Sequence, residues 1–391
     1  MDSTIPDRGI EETLTLVGNL MASFLINASN LKNGGGVQVA QSICEQLKQY
    51  PKHRFIVVLS TYINDEKIEE GENVEVHKYN IPQSFKSVVL GRDVFLDELV
   101  SEKGVDAVLT VFGPSLWRPR LPHLCGFARA QLLKDVNPDV NPNFKEWLVY
   151  KVWTWGFRKS SNVFYTENPY ISNMLSQLIR DAKVYTVSNY YNQVFDHPEQ
   201  WRRNIILNNN TNGKRMVTML TVSSTASHKN LGIMVPVAEY LERERPEFDF
   251  RFVLTCDKAP FQLPEYLSKH FVWVGKVDVS ECPNLYEQAD IMFMPTLMEC
   301  FTATYPEAMR MEVPIVTTDL EFAHVLCGDA ACYYSAMDAK AAAEAIYMVA
   351  TDKEFTQKLI AAGKQQLKKY DNYEQRVEKL INILEEISNN K

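Results

Sequence analysis

Strand and helix signals alternate twice along this chain of 391 residues, and a single break separates the two series. The first series opens with the apolar run ASFLIN at 22–27, passes a glycine-rich turn and an amphipathic stretch from Val37 to Tyr50, and returns to an apolar run, RFIVVLS. Val37, Ala40, Ile43, Cys44 and Leu47 recur at helical spacing on one face of the middle stretch. A strand, a helix and a strand joined in this way form a βαβ unit, whose crossover leaves the two strands parallel. Strand signals follow at VEVHKY, DAVLTVF, LCGFA, NVFYT and KVYTV, with helical segments near 92–103, 144–159 and 170–180. Over 196–215 Asn and Gly cluster and the periodicity fades, which marks a linker. The second series then runs through MVTMLTV, a helix from Asn230 to Arg243, RFVLTC, FVWVG, a helix from Cys282 to Ala289, DIMFMP, a helix around Tyr305, PIVTTD and a helix from Asp338 to Ala350. The expected fold class is α/β, with two Rossmann-like doubly wound domains facing a central cleft.

Length and composition agree with two cores, since 46% of the residues are apolar and one core rarely grows to this size. The domains are expected at 21–195 and 216–370, with an amphipathic helix at 371–391 presenting Val377, Leu380, Ile381 and Leu384 on one side. Near the start, LTLVGNLMASFLI is too polar to span a membrane, and Glu11 and Glu12 precede it where a secretory signal carries positive charge. Met21 is therefore expected to start the fold, with residues 1–20 a leader or loose extension. The seven cysteines are scattered without a C-x-x-C pair or zinc spacing, which points to core packing in a reducing compartment, hence a cytoplasmic setting, with peripheral contact at the cytoplasmic face of a membrane left open. A net charge of −8 argues against a nucleic-acid partner, because neutralising a phosphate backbone takes clustered Lys and Arg in excess.

Candidate site residues gather at predicted strand ends, where such folds bind ligands. Glu299 and Glu307 lie in ECFTATYPE, after the DIMFMP strand and into a short helix. Carboxylates offer only acceptor sites and suit a diol, while free amides at a helix start suit a phosphate. That combination fits a nucleotide sugar. Thr304 to Glu307 also has the form of a capping box, in which the acid only closes the helix start. Asn33, Gly34, Gly35 and Gly36 join the first strand to its helix, so a ligand could reach main-chain N–H groups there, or the glycines could serve only a tight turn.

The run ADIMFMPTLMECFTATYPEAMRMEVPIVTTDLEFAHVLCGDAACYY resembles the donor-binding half of retaining GT-B glycosyltransferases, specifically glycosyltransferase family 4, whose signature is two glutamates separated by seven residues. The likeness covers residues 163–350 well and 21–162 loosely. It implies a GT-B fold with an acceptor-side first domain, a donor-binding second domain and a last helix crossing back to the first. It also implies retention of anomeric configuration, no divalent metal and no cofactor beyond the nucleoside diphosphate sugar donor; the chain has no D-x-D motif. Glu299 would bind donor-sugar hydroxyls beside the reacting carbon and Glu307 the ribose. Lys229 would clamp the diphosphate, where a cation offsets charge on the leaving group. The arginine that accompanies this lysine in the family is replaced by Ser223 or Ser224, and His228 beside Lys229 is open to two readings, partial compensation or a surface or capping residue. The family's Gly-Phe-Gly between the acids is Cys300-Phe301-Thr302 here, leaving Phe301, Thr302 and Ala303 to contact donor through backbone or hydroxyl groups.

In the first half, TVFGPSLWRPRLPHLCGFARAQ carries Trp117, Arg118, Arg120, His123 and Arg129 after a strand. The resemblance implies a histidine near the transferred sugar, for which His123 is the candidate. Arg118 and Arg120 are candidate anchors for an anionic acceptor such as a lipid diphosphate. KEWLVYKVWTWGFRKSS mixes five aromatic rings with four cations, the composition of a membrane-surface helix and equally of a packed core helix, with packing preferred. DVNPDVNPNFKE spaces oxygens like a calcium loop but reads as a chain of turns. The implied activity is sugar transfer from a nucleoside diphosphate donor to a glycan or lipid-linked acceptor, the setting of many relatives being bacterial surface polysaccharide synthesis. A GT-B nucleotide-sugar epimerase and a catalytically silent nucleotide-sugar-binding homologue are the alternatives.

Overall fold

The structure, a computed structural model, describes residues 22–389 except 33, 83–88, 134–142, 208–209 and 212–213. The expectations for residues 1–20, Met21, Asn33 and the turns before Asn143 lie outside the described residues. The first half holds a seven-stranded sheet of β1 (Ala22–Ala28), β2 (His53–Leu59), β3 (Val74–Lys78), β4 (Ala107–Thr110), β5 (His123–Gly126), β6 (Val163–Thr166) and β7 (Lys183–Thr186). Its order is β3-β2-β1-β4-β5-β6-β7 and every pairing is parallel. After a short hairpin, β8 (Asn210–Thr211) with β9 (Lys214–Arg215), comes the second sheet. It contains β10 (Val217–Thr221), β11 (Phe250–Leu254), β12 (Phe271–Trp273), β13 (Ile291–Met294), β14 (Ile315–Thr318) and β15 (Ala331–Tyr334), in the parallel order β12-β11-β10-β13-β14-β15. Both sheets thus reverse direction of strand order once, beside β1 and beside β10. A crevice opens at each reversal, outside the carboxyl ends of the strands.

These runs become strands because helices cover both sheet faces, so a strand with no wet face can be apolar throughout. Phe24, Leu25 and Ile26 of β1 and Ile291 to Met294 of β13 are all buried. The first helix spans Gly35–Cys44 rather than reaching Tyr50, and a separate 3₁₀ turn covers Leu47–Gln49. The helix closes where Gln46 N donates to Ile43 O, a tighter bond than the helical repeat makes. The helix Lys353–Leu367 and the strand β15 were not anticipated from sequence. Asp352 caps that helix by accepting from Phe355 N, and its Gly363 lies against Met309 on the helix carrying Glu307.

Two segments tie the halves together. The last helix, Tyr373–Asn389, lays Val377, Leu380, Ile381 and Leu384 into the core of the first half, beside Phe24, Ile26 and Leu109. In the other direction, Met298 and Cys300 from the loop after β13 bury into a first-half cluster with Cys125, Phe127, Ala130 and Phe164. Burying a methionine side chain contributes roughly 1.5–3 kcal/mol. All seven cysteines are buried free thiols.

Candidate active site

The ends of β1, β4, β10 and β13 converge on one cleft of about 900 Å³ between the halves. On the second-half wall the chain leaves β10 through Ser223 and Ser224 and turns in a short 3₁₀ segment, Ser227–Lys229. Asn230 follows with φ 50°, a left-handed conformation that asparagine tolerates better than most residues. Lys229 Nζ donates to Glu299 Oε1 at 2.5 Å, and Thr296 Oγ1 donates to the same oxygen at 2.8 Å. The lysine and glutamate side chains are only 13% and 9% exposed. Sequence reasoning gave the two residues separate ligand duties; in the ligand-free protein they satisfy one another.

Glu307 sits in the helix Thr304–Arg310, is buried, and accepts from the Tyr286 hydroxyl at 3.0 Å. The capping-box reading does not hold. Ala303 occupies the cap position with helical angles, φ −64° and ψ −23°, and no side chain caps the helix there. Burial pushes the Glu307 carboxyl up to about 7, against a smaller opposing pull from the Tyr286 hydroxyl. Phe301, Thr302 and Ala303 also line the cleft, and Thr302 and Thr304 share a hydroxyl hydrogen bond of 2.8 Å. Neither Cys300 nor Thr302 has a positive φ, so their replacement of glycine costs no backbone strain. The Cys300 side chain fills space in the first-half core instead.

Across the cleft, Gly34, Gly35 and Gly36 form the turn into the helix Gly35–Cys44. Gly34 has φ 70°, a conformation that glycine adopts without a Cβ clash, and a Cβ added at Gly34 or Gly35 would meet no atom within 4 Å. No acidic residue occupies the first turn of that helix, so its amide end presents positive potential to the cleft.

Sequence reasoning missed a buried polar group on the cleft floor. Glu167, just past β6, is 7% exposed, and burial pushes its carboxyl up to about 7 although Arg376 pulls it down. Arg376, from the last helix, is 4% exposed and donates to Asn189 Oδ1 and, at 2.7 Å, to Ser42 Oγ. Glu167 Oε1 and Arg376 Nε have no hydrogen-bond partner among the described residues, and both side chains line the cleft. Unsatisfied buried atoms of this kind mark a place for water or ligand. Glu167 was open to recognition as an acid at the end of the NVFYT strand; Arg376 carries no local signal. Lys276, after β12, and Arg129 are further cations on the cleft wall.

Three expectations need correction. His123 does not line the cleft: it is buried in β5, where Nε2 pairs with Thr110 Oγ1 at 2.9 Å and Nδ1 with Ser160 O at 2.8 Å. A carbonyl only accepts, so Nδ1 carries the proton and Nε2 accepts from the threonine, and burial lowers the imidazole pKa to about 4. It is a satisfied core histidine. Arg118 and Arg120 also stand away from the cleft, Arg118 against Gly91 with its guanidinium 5.0 Å from the Trp155 ring centre, and Arg120 exposed. His228 lies outside the cleft lining, and its carbonyl accepts from Leu297 N at 2.8 Å, which fixes the Glu299 loop.

Known proteins bear on this geometry. Residues 217–352 match the family described as glycosyl transferases group 1. The second half carries such a domain. No curated protein matches the chain by sequence. Among solved structures, the sucrose-phosphate synthase of Thermosynechococcus elongatus superposes with a TM-score of 0.68 at 12% identity, covering 94% of this chain and 99% of that one. An Anabaena protein, HepE, in complex with UDP and glucose gives 0.66 at 14% identity over 93% and 99%. A glycosyltransferase from Rickettsia africae gives 0.63 at 15% identity over 94% and 99%. At these identities the likeness is one of fold, and the fold is GT-B.

Proposed function

We propose that the protein is a retaining, metal-independent glycosyltransferase that moves a sugar from a nucleoside diphosphate donor to a glycan or lipid-linked acceptor, in the setting of bacterial surface polysaccharide synthesis. The observation that carries this reading is the convergence of Glu299, Lys229 and Glu307 on one wall of an interdomain cleft, opposite the amide end of the helix Gly35–Cys44. Glu307 takes the ribose diol, and Lys229 and Lys276 face the diphosphate, partly replacing the absent arginine. Glu299 grips the sugar hydroxyls beside the reacting carbon. Similar folds hold UDP with glucose in HepE and UDP with GlcNAc in the pneumococcal O-GlcNAc transferase GtfA, which makes UDP-sugars the first donors to try.

On this reading the bond from the anomeric carbon to phosphate breaks, the acceptor oxygen bonds to the same face of that carbon, and the acceptor proton passes to the departing phosphate. Lys229 neutralises that phosphate as its charge grows. Glu167 lies on the acceptor side, and its partnerless oxygen is suited to accept a hydrogen bond from an acceptor hydroxyl. Closure of the cleft excludes water and so disfavours donor hydrolysis.

The test is turnover of UDP- and GDP-sugars with and without candidate acceptors. A transferase releases nucleoside diphosphate only when acceptor is glycosylated; an epimerase interconverts free donor, and a silent binder does neither, and either result refutes the proposal. In the same assay Glu167→Gln is expected to raise acceptor KM about tenfold while donor affinity holds. An unchanged acceptor KM removes the role given to Glu167.

Proton linkage offers an independent check. A diol donating to Glu307 favours its ionised form, so donor binding lowers a carboxyl pKa that stands at about 7 and releases a proton. Affinity for a nucleoside diphosphate sugar is therefore expected to rise with pH up to about 7 and level off above it. The intact donor is the right probe because its diphosphate has no ionisation near neutrality. Calorimetry at pH 7 in buffers of different ionisation enthalpy reads the proton directly, and Glu307→Gln is expected to abolish it. In the free protein the sign is opposite. Between the ordinary carboxyl value of 4.5 and about 7 the folded state binds more protons than the unfolded state at Glu167 and Glu307, so their contribution to stability is lost as pH rises through that window.

A further inference from the structure

The helix Phe144–Ser160 stands largely clear of the body. Only Gly156, Phe157 and Ser160, in its last turns, are buried. Phe144 is 74% exposed, Val152 48%, Leu148 46% and Trp147 45%, and Val149 and Trp155 are exposed too. The preference for aromatic packing, drawn from sequence, fails for most of this helix. A lone exposed leucine is ordinary, but this many large apolar side chains on one short helix form a surface that is covered in use.

Charge says what covers it. Lys145, Lys151, Arg158 and Lys159 share the helix with one acid, Glu146, in a chain of net charge −8. That acid is already engaged in a capping box, accepting from Asn143 N at 2.9 Å. The cations frame the rings: Lys151 Nζ stands 5.4 Å from the centre of Trp147, and Arg118 holds Trp155. Beside them Pro114, Leu116, Leu148, Val149, Val152 and Trp153 line an apolar groove of about 310 Å³. A second copy on a two-fold axis would set these cations against themselves with no uncommitted acid on the helix to answer them. No helix among the described residues is long and apolar enough to cross a membrane.

We propose that this helix docks on an anionic phospholipid surface, its aromatic and aliphatic side chains entering the headgroup layer and its cations meeting lipid phosphates. The groove receives part of a lipid chain. Docking also bears on the proposed reaction, because Arg129 lies over Trp153 at 4.3 Å and lines the cleft as well. Resting on the transferase reading, Arg129 then takes the place first given to Arg118 and Arg120. It meets the phosphate of a lipid-linked acceptor at the cleft mouth.

Co-sedimentation with phosphatidylcholine vesicles, with and without phosphatidylglycerol, tests the docking without any turnover, so its failure leaves the transferase proposal standing. Binding is expected only to the anionic vesicles and should weaken as salt rises. Joint replacement of Lys145, Lys151, Arg158 and Lys159 by Gln is expected to lower partitioning about tenfold or more. The variant Trp147→Ser with Val149→Ser should lose binding while its circular dichroism and melting stay those of the native chain. Absence of binding to anionic vesicles overturns the proposal, as does binding that both variants retain. A dimer abolished by the serine variant, with no vesicle binding, assigns the face to a second copy and also overturns it.

Discussion

Glu299→Gln lowers sugar transfer by about 10²–10³-fold or more, with the fold retained. The expectation follows from what glutamine keeps and what it loses. An amide oxygen can still accept from Thr296 Oγ1 and from Lys229, which at present hold the carboxylate at 2.8 and 2.5 Å, so the loop after β13 keeps its anchors. The negative charge is what goes, which leaves the Lys229 ammonium nearly buried without a counter-charge, so the melting temperature falls although the fold persists. Positive charge builds on the sugar ring as its bond to phosphate breaks, and a preorganised anion there acts mainly on the transition state; groups of that kind are worth about 10²–10³ in rate. The loss should appear in kcat with little change in donor affinity. Turnover at the native rate, or a loss confined to KM, would remove Glu299 from the reacting centre.

Lys229→Met should reduce both stability and transfer. Removing one partner of a nearly buried ion pair strands the other, a loss of roughly 3–5 kcal/mol in comparable pairs. The melting temperature should therefore fall by several degrees, and donor affinity should fall with it because a diphosphate contact is gone. The pairing also sets a sign for the double variant. Lys229→Met combined with Glu299→Gln leaves no stranded charge, so it is expected to be more stable than Lys229→Met alone. Strictly additive losses would show that the two side chains do not depend on one another. A donor that recruits Lys229 must first loosen its hold on Glu299, so free Glu299 becomes available to the sugar only as the diphosphate arrives.

The fold was legible because parallel strands covered on both faces leave uninterrupted apolar runs, and these stood out at ASFLIN, RFIVVLS and DIMFMP. The acid pair was legible for a related reason: it follows a strand whose carboxyl end opens on the crevice. Glu167 carried the same strand-end signal and was passed over, whereas Arg376 was not legible, since it lies in a helix read for its apolar stripe. Its burial depends on Ser42 and Asn189, far away in the chain. His123 misled because nothing near it in sequence discloses that Thr110 and Ser160 occupy both its nitrogens. The capping-box pattern at Thr304 is present, but the chain enters that helix already in helical conformation at Ala303, so Thr304 cannot cap. The aromatic helix was ambiguous for a physical reason, since rings and cations in sequence look alike whether the body covers them or leaves them bare. Only the exposure of Phe144 to Val149 separates the two.

On the proposed reading an activated sugar lies across the cleft and touches both halves. Hydrogen exchange of backbone amides with and without a nucleoside diphosphate sugar addresses it directly. Added donor is expected to slow exchange at Gly34 to Gly36 on one wall and at Ser223 to Lys229 and Phe301 to Thr304 on the other. Protection confined to one half, or no protection at any of these segments at saturating donor, would contradict the proposal.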